Sequence, residues 1–208
     1  MTYGVGDNSN GGWAQRVSNK IEFNNFYKYA VSGATSMHGN DSRGRLSSQI
    51  SRLPTITDTN IIILVMIGTN DYHDNYSVGD VDAALSKDYS ALDYSASFSE
   101  SFRKDMETIK RQCPFATIIY CLPVSAATFY ESRMENFVNA MNKICAALSI
   151  PVLNTRAEAG IPMGLNTGNA TSYLPDNFHP SPTGHELVAN YVASYLMRYA
   201  DGVILSQS

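Results

Sequence analysis

A three-layer α/β/α sandwich on a mainly parallel sheet is the fold class that this 208-residue sequence predicts. Two observations carry it. Short apolar runs alternate with segments whose apolar residues recur at helical spacing, in the order that builds strand–helix–strand units. The runs are also unbroken rather than alternating. Ile61 to Ile67 reads Ile-Ile-Ile-Leu-Val-Met-Ile, the pattern of a strand covered on both faces of a parallel sheet.

Trp13, Val17 and Ile21 fall on one face of a first helix. Phe26 to Ala30 is a short strand leading into Gly33, and Leu46, Ile50 and Leu53 mark a second helix that Pro54 stops. After the Ile61 strand, Phe98, Phe102, Met106 and Ile109 define a third helix. Ala116 to Leu122 is another buried strand. Phe137, Met141, Ile144 and Leu148 set a fourth helix, and Pro151 to Asn154 a last short strand. Ser181 before Pro182, with capping-box spacing from Thr183 to Glu186, signals the start of a final helix carrying Leu187, Tyr191 and Tyr195. The segment from Asp71 to Ser97 is rich in Tyr, Ser and Asp and lacks a clean period, so it reads as a loop or partly helical insertion.

The length suits one domain over residues 1–208, with no repeat and no linker. A hydrophobic content of 44% with 16% charged residues excludes global disorder. The formal net charge of −4 leaves no electrostatic footprint for nucleic acid. No apolar run approaches the ~20 residues of a membrane span. Cys113, Cys121 and Cys145 lack metal-type spacing and read as buried thiols. His38, His73, His179 and His185 form no His-x-x-x-His pair, so no metal site is expected. His38 and His73 read as exposed loop histidines, and Tyr72, Tyr76, Tyr89 and Tyr94 either pack the insertion or form an aromatic platform for a sugar.

Three short blocks carry chemistry. In Asp176-Asn177-Phe178-His179-Pro180 a carboxylate precedes a histidine by one turn, close enough to hold one imidazole nitrogen while the other acts as a general base. Gly33 sits in Ala30-Val31-Ser32-Gly33-Ala34-Thr35-Ser36. Gly68-Thr69-Asn70-Asp71 closes the Ile61 strand. All follow expected strands, and open α/β sheets hold their sites beyond the carboxyl ends of strands.

Gly33, Gly68-x-Asn70-Asp71 and Asp176-x-x-His179, in that order, resemble successive blocks of the SGNH hydrolases, also called the GDSL esterase/lipase family. The resemblance covers essentially the whole chain. It implies a flavodoxin-like sheet and hydrolysis of carboxylic esters through a serine acyl-enzyme, without cofactor. It also implies that His179 is the base, Asp176 its orienting partner, and Gly33 and Asn70 oxyanion donors. Family members are often secreted; neither compartment nor oligomeric state is legible here.

The departure lies at the start. Met1-Thr2-Tyr3-Gly4 followed by Trp13 is similar to the residues after the family's nucleophilic Ser, so the resemblance implies a serine and its strand lying before Met1, and a first strand missing or stunted. Ser9, in Gly6-Asp7-Asn8-Ser9, is the fallback nucleophile, although its glycine- and asparagine-rich surroundings suit a loop better than a rigid strand. The expected substrate is a small-molecule or carbohydrate ester, since the tyrosine-rich polar insertion favours short acyl groups over long-chain lipid. The alternative is a non-catalytic binding module that keeps the pocket without the nucleophile. A flavodoxin-like nucleotide binder would need an anion-binding helix start that the chain lacks.

Overall fold

The computed structural model describes Gly4 and residues 11–39, 44–57, 60–124, 132–162, 172–176 and 178–205. They group into two compact units. One draws on Met1–Lys28, Val124–Ala127 and Asn154–Ser208, the other on Tyr29–Pro123 and Thr128–Leu153.

The second unit holds a parallel sheet flanked by helices. Its strands β1 (Ile62–Val65), β2 (Thr117–Cys121) and β3 (Val152–Leu153) lie in the order β1-β2-β3. Ile62 pairs with Thr117 and Tyr120 with Val152, and both pairings are parallel. The central β2 is buried from Ile118 to Cys121. β1 differs from expectation: Ile62 is 40% exposed, and only Val65 of the strand is buried. Apolar identity alone does not tell how far each face of a strand is covered.

Helices α2 (Leu46–Ile50), α3 (Thr69–His73), α4 (Val81–Ser86), α5 (Phe98–Gln112) and α6 (Ser132–Ala147) complete this unit. The apolar stripe of α5 is fully buried: Phe98 stacks on Phe102, Phe102 meets Tyr120 of β2 edge-on at 5.0 Å, and Phe98 packs against Phe137 of α6 at 4.7 Å. The Tyr120 hydroxyl, buried with its ring, donates to the Ile67 carbonyl at 2.7 Å, which removes the penalty of an unpaired polar group.

The expected strand at Phe26 to Ala30 does not form. Those residues carry no strand or helix, and Tyr27 is 71% exposed. Aromatic content favours a strand only where a neighbouring strand offers backbone partners. Among the described residues nearby, Thr35 and Arg45 form an isolated parallel bridge.

The insertion after Asp71 is more ordered than its period suggests. Asp80 caps α4 by accepting from the Asp82 and Ala83 N–H groups at 2.9 and 3.0 Å. Basic side chains of α5 then hold the segment: Lys104 donates to the Leu92 carbonyl at 2.6 Å, and Arg103 to the Ala84 and Lys87 carbonyls.

In the other unit α1 (Gly12–Ser18), α7 (Thr155–Glu158) and α8 (Pro182–Leu205) pack together. Trp13 and Val17 are buried as their spacing predicts, and Ile21 falls past the end of α1. α8 begins at Pro182, but not through a Thr183–Glu186 capping box. Ser181 is the cap, its Oγ accepting from the Gly184 N–H at 3.2 Å. Glu186 instead pairs with Arg16 and Lys20. A Cβ on Gly184 would lie 2.5 Å from the Tyr173 carbonyl oxygen, so only glycine lets the preceding turn close on the helix start.

Candidate active site

The local pair predicted from sequence forms within the first unit. His179 Nδ1 lies 2.7 Å from Asp176 Oδ2, while Asp176 Oδ1 accepts from the His179 and Phe178 N–H groups at 2.6 and 2.9 Å. One carboxylate thus closes the turn and orients the ring. Burial opposes its ionisation, but the hydrogen bonds from His179 and Phe178 outweigh burial and hold the Asp176 carboxyl below its usual range. With Nδ1 engaged, Nε2 is the nitrogen left for proton transfer.

The second unit brings the other two blocks together. β1 turns into α3 at Gly68, whose φ of 110° is left-handed and whose absent side chain leaves room for Met141. That turn delivers Asn70 to the loop carrying Gly33, where its Nδ2 donates to the Ala34 carbonyl at 2.8 Å. A primary amide has two N–H donors, so this bond leaves one for another acceptor.

Asp71 locks the same loop. Fully buried, it accepts from the Ser36 N–H at 3.0 and 3.1 Å and from the Met37 N–H at 2.8 Å. Burial pushes its carboxyl up to about 7, against the pull of those N–H donors. A folded-state pKa raised above the unfolded 3.8 contributes stability that is full below about pH 4 and lost as pH rises through about 7. Urea unfolding across that window is expected to show this decline. Asp71→Asn, which does not titrate, should flatten it, and an unaltered slope in the variant would remove Asp71 as the cause.

His38 is not an exposed loop residue. Its ring stacks on Tyr94 at 4.1 Å and its Nε2 lies 2.8 Å from Ser47 Oγ. Burial, then the nearby Arg45, lowers its pKa. His73 is open, its side chain 67% exposed beside Asp74. The tyrosines of the insertion are engaged in packing: Tyr72 is buried against Phe137 with Arg133 over its ring, and Tyr89 lies under Arg111. Cys113, Cys121 and Cys145 are buried free thiols, and burial pushes Cys121 and Cys145 up to about 12. Ser9, and the Met1 to Val5 stretch apart from Gly4, lie outside the described residues. Sequence reasoning gave Asp71 no role and passed over Asp105, because their partners are remote in the chain. Among the described residues no three His, Cys, Asp or Glu side chains converge as a metal site, and no helix is long and apolar enough to cross a membrane.

A parallel sheet flanked by helices places the chain among α/β proteins, and Asn70 lies just past the carboxyl end of β1, the edge where such folds commonly bind ligands. The chain belongs to the GDSL-like lipase/acylhydrolase family, whose model matches residues 1–187. Ester hydrolysis is the general function that this membership supports. Among solved structures it is similar to a protein from Lactobacillus plantarum, at 16% identity over 90% of this chain and 88% of that one, with a TM-score of 0.68. A possible lipase from Chitinophaga pinensis aligns at 19% identity over 91% and 89%, with a TM-score of 0.63. A member of the lipolytic G-D-S-L family from Veillonella parvula aligns at 14% over 90% and 88%, with a TM-score of 0.59. At these identities the likeness concerns the fold. No curated protein matches the chain.

Proposed function

We propose that this chain hydrolyses carboxylic esters with short acyl groups, such as those carried on carbohydrates, through a serine acyl-enzyme. The observation that carries the reading is the Asp176–His179 pair, with Nδ1 held at 2.7 Å and Nε2 left for a proton. The serine Oγ attacks the ester carbonyl carbon while His179 Nε2 takes its proton, and the carbonyl oxygen becomes an oxyanion. The Gly33 N–H and the second N–H of Asn70 are its donors. Collapse breaks the bond to the alcohol, which leaves with the proton from His179. A water deprotonated by the same histidine then releases the acid and restores the serine. The polar insertion from Asp71 to Ser97 supports short acyl groups.

Ser9 is the fallback nucleophile of this reading; the alternative is a binding module that keeps the pocket without a nucleophile. Treatment of the whole chain with a fluorophosphonate, followed by peptide mass spectrometry, decides between them. Label on Ser9 that disappears in His179→Ala supports catalysis through Ser9. A folded chain that takes no label overturns Ser9 and leaves an ester-binding module. For a labelled chain, p-nitrophenyl acetate is expected to be cleaved faster than p-nitrophenyl octanoate, and the reverse order overturns the short-acyl reading.

A further inference from the structure

Between Gly33 and the stacked His38 lies Ser36, a residue with no solvent exposure. Asp71 holds its backbone N–H, and its hydroxyl donates to Asp105 Oδ2 at 2.6 Å. Asp105 stands on the buried face of α5, also with no exposure, and the nearby Tyr94 side chain favours its ionised form. Its Oδ1 has no hydrogen-bond partner among the described residues. Tyr94 returns to the same loop twice more, through its stack on His38 and through its carbonyl, which accepts the His38 N–H at 2.9 Å. Lys104, one residue before Asp105, lies 4.8 Å from the centre of the Tyr94 ring.

Two carboxyls buried beside one serine are costly in a low-dielectric interior, where apolar residues would hold α5 on the loop more cheaply. What the polar arrangement adds is direction. Asp71 fixes where the loop backbone runs, and Asp105 fixes the rotamer of Ser36. The Ala34 carbonyl that receives Asn70 lies two residues before Ser36 on the same loop. We propose that Asp105, acting through the Ser36 hydroxyl, is a positioning residue that sets the geometry of the Gly33–Asn70 donor pair. This rests on the ester-hydrolase reading for its catalytic meaning, and on the described geometry alone for its structural one. Asp105→Asn keeps an acceptor oxygen of the same shape for the Ser36 hydroxyl and is the conservative variant.

The test compares Ser36→Ala and Asp105→Leu with Ser36→Thr and Asp105→Asn in the whole chain, by amide hydrogen exchange and by the NMR signals of the Asn70 side-chain amide. Loss of the bond is expected to speed exchange of the Ala34 to Met37 amides by about 10- to 100-fold. It should also shift the Asn70 side-chain signals, with the Ile118 to Tyr120 amides of β2 unchanged. Thr and Asn, which keep a hydroxyl and an acceptor, should restore both readouts. Unchanged exchange and unchanged Asn70 signals in Ser36→Ala overturn the proposal, as does uniform acceleration that includes β2. Should Asp105→Leu fail to fold, Ser36→Ala still decides.

Turnover of p-nitrophenyl acetate separates this proposal from the reading beneath it. An inactive wild type removes the hydrolase reading while exchange still decides whether Asp105 positions Asn70. With an active wild type, Ser36→Ala should lower kcat with little change in KM, and an unchanged kcat overturns the positioning role.

Discussion

His179→Ala is expected to abolish ester hydrolysis, lowering kcat by at least about 10⁴, while the chain still folds. A serine hydroxyl is a weak nucleophile until a base takes its proton during attack, and neutral imidazole is suited to that near neutral pH. In the proposed reaction His179 takes that role, its Nδ1 held by Asp176 so that Nε2 is the nitrogen left to accept the proton. The fold should survive because the interaction is local: the histidine side chain is 30% exposed, and the backbone turn keeps the Asp176 bond to the residue 179 N–H. Turnover of p-nitrophenyl acetate beside circular dichroism of the variant checks both halves. Retained turnover would sink the assignment.

Asn70→Ala should reduce kcat by about 10²–10³ and leave KM nearly unchanged. A donor aimed at the oxyanion acts mainly after the carbonyl oxygen acquires charge, so its removal raises the barrier more than it weakens substrate binding. The hydrogen bond that Asn70 Nδ2 donates to the Ala34 carbonyl gives the substitution a second consequence, since its loss frees one anchor of the Gly33 loop. The larger anchors, Asp71 and Ser36, stay in place, so the loop should persist. Steady-state kinetics across a range of ester concentrations checks this, and an effect confined to KM would argue against the oxyanion role.

The Asp176–His179 pair was legible in the sequence because its two members are one turn apart, and chain geometry alone brings them into contact. The helix at Phe98 to Gln112 and the strand at Thr117 to Cys121 were legible for a related reason. Burying one face, or a whole strand, writes its period directly into the apolar residues. The expected strand at Phe26 to Ala30 shows the limit of that logic, since a strand exists only with a partner whose backbone it can reach. His38 shows it again: a polar residue in a loop was expected at the surface, yet Tyr94, far along the chain, covers its ring.

By itself, then, the sequence determined the α/β class, the succession of its main helices and strands, and the orienting of one imidazole by one carboxylate. Those features depend on neighbours a few residues away. Only the tertiary structure decided that Asn70 reaches a carbonyl 36 residues before it, that Asp71 binds a backbone 35 residues away, and that Ser36 and Asp105 meet across 69. Such contacts leave no period in the sequence. They arise because buried polar groups must find partners wherever the packed elements place them.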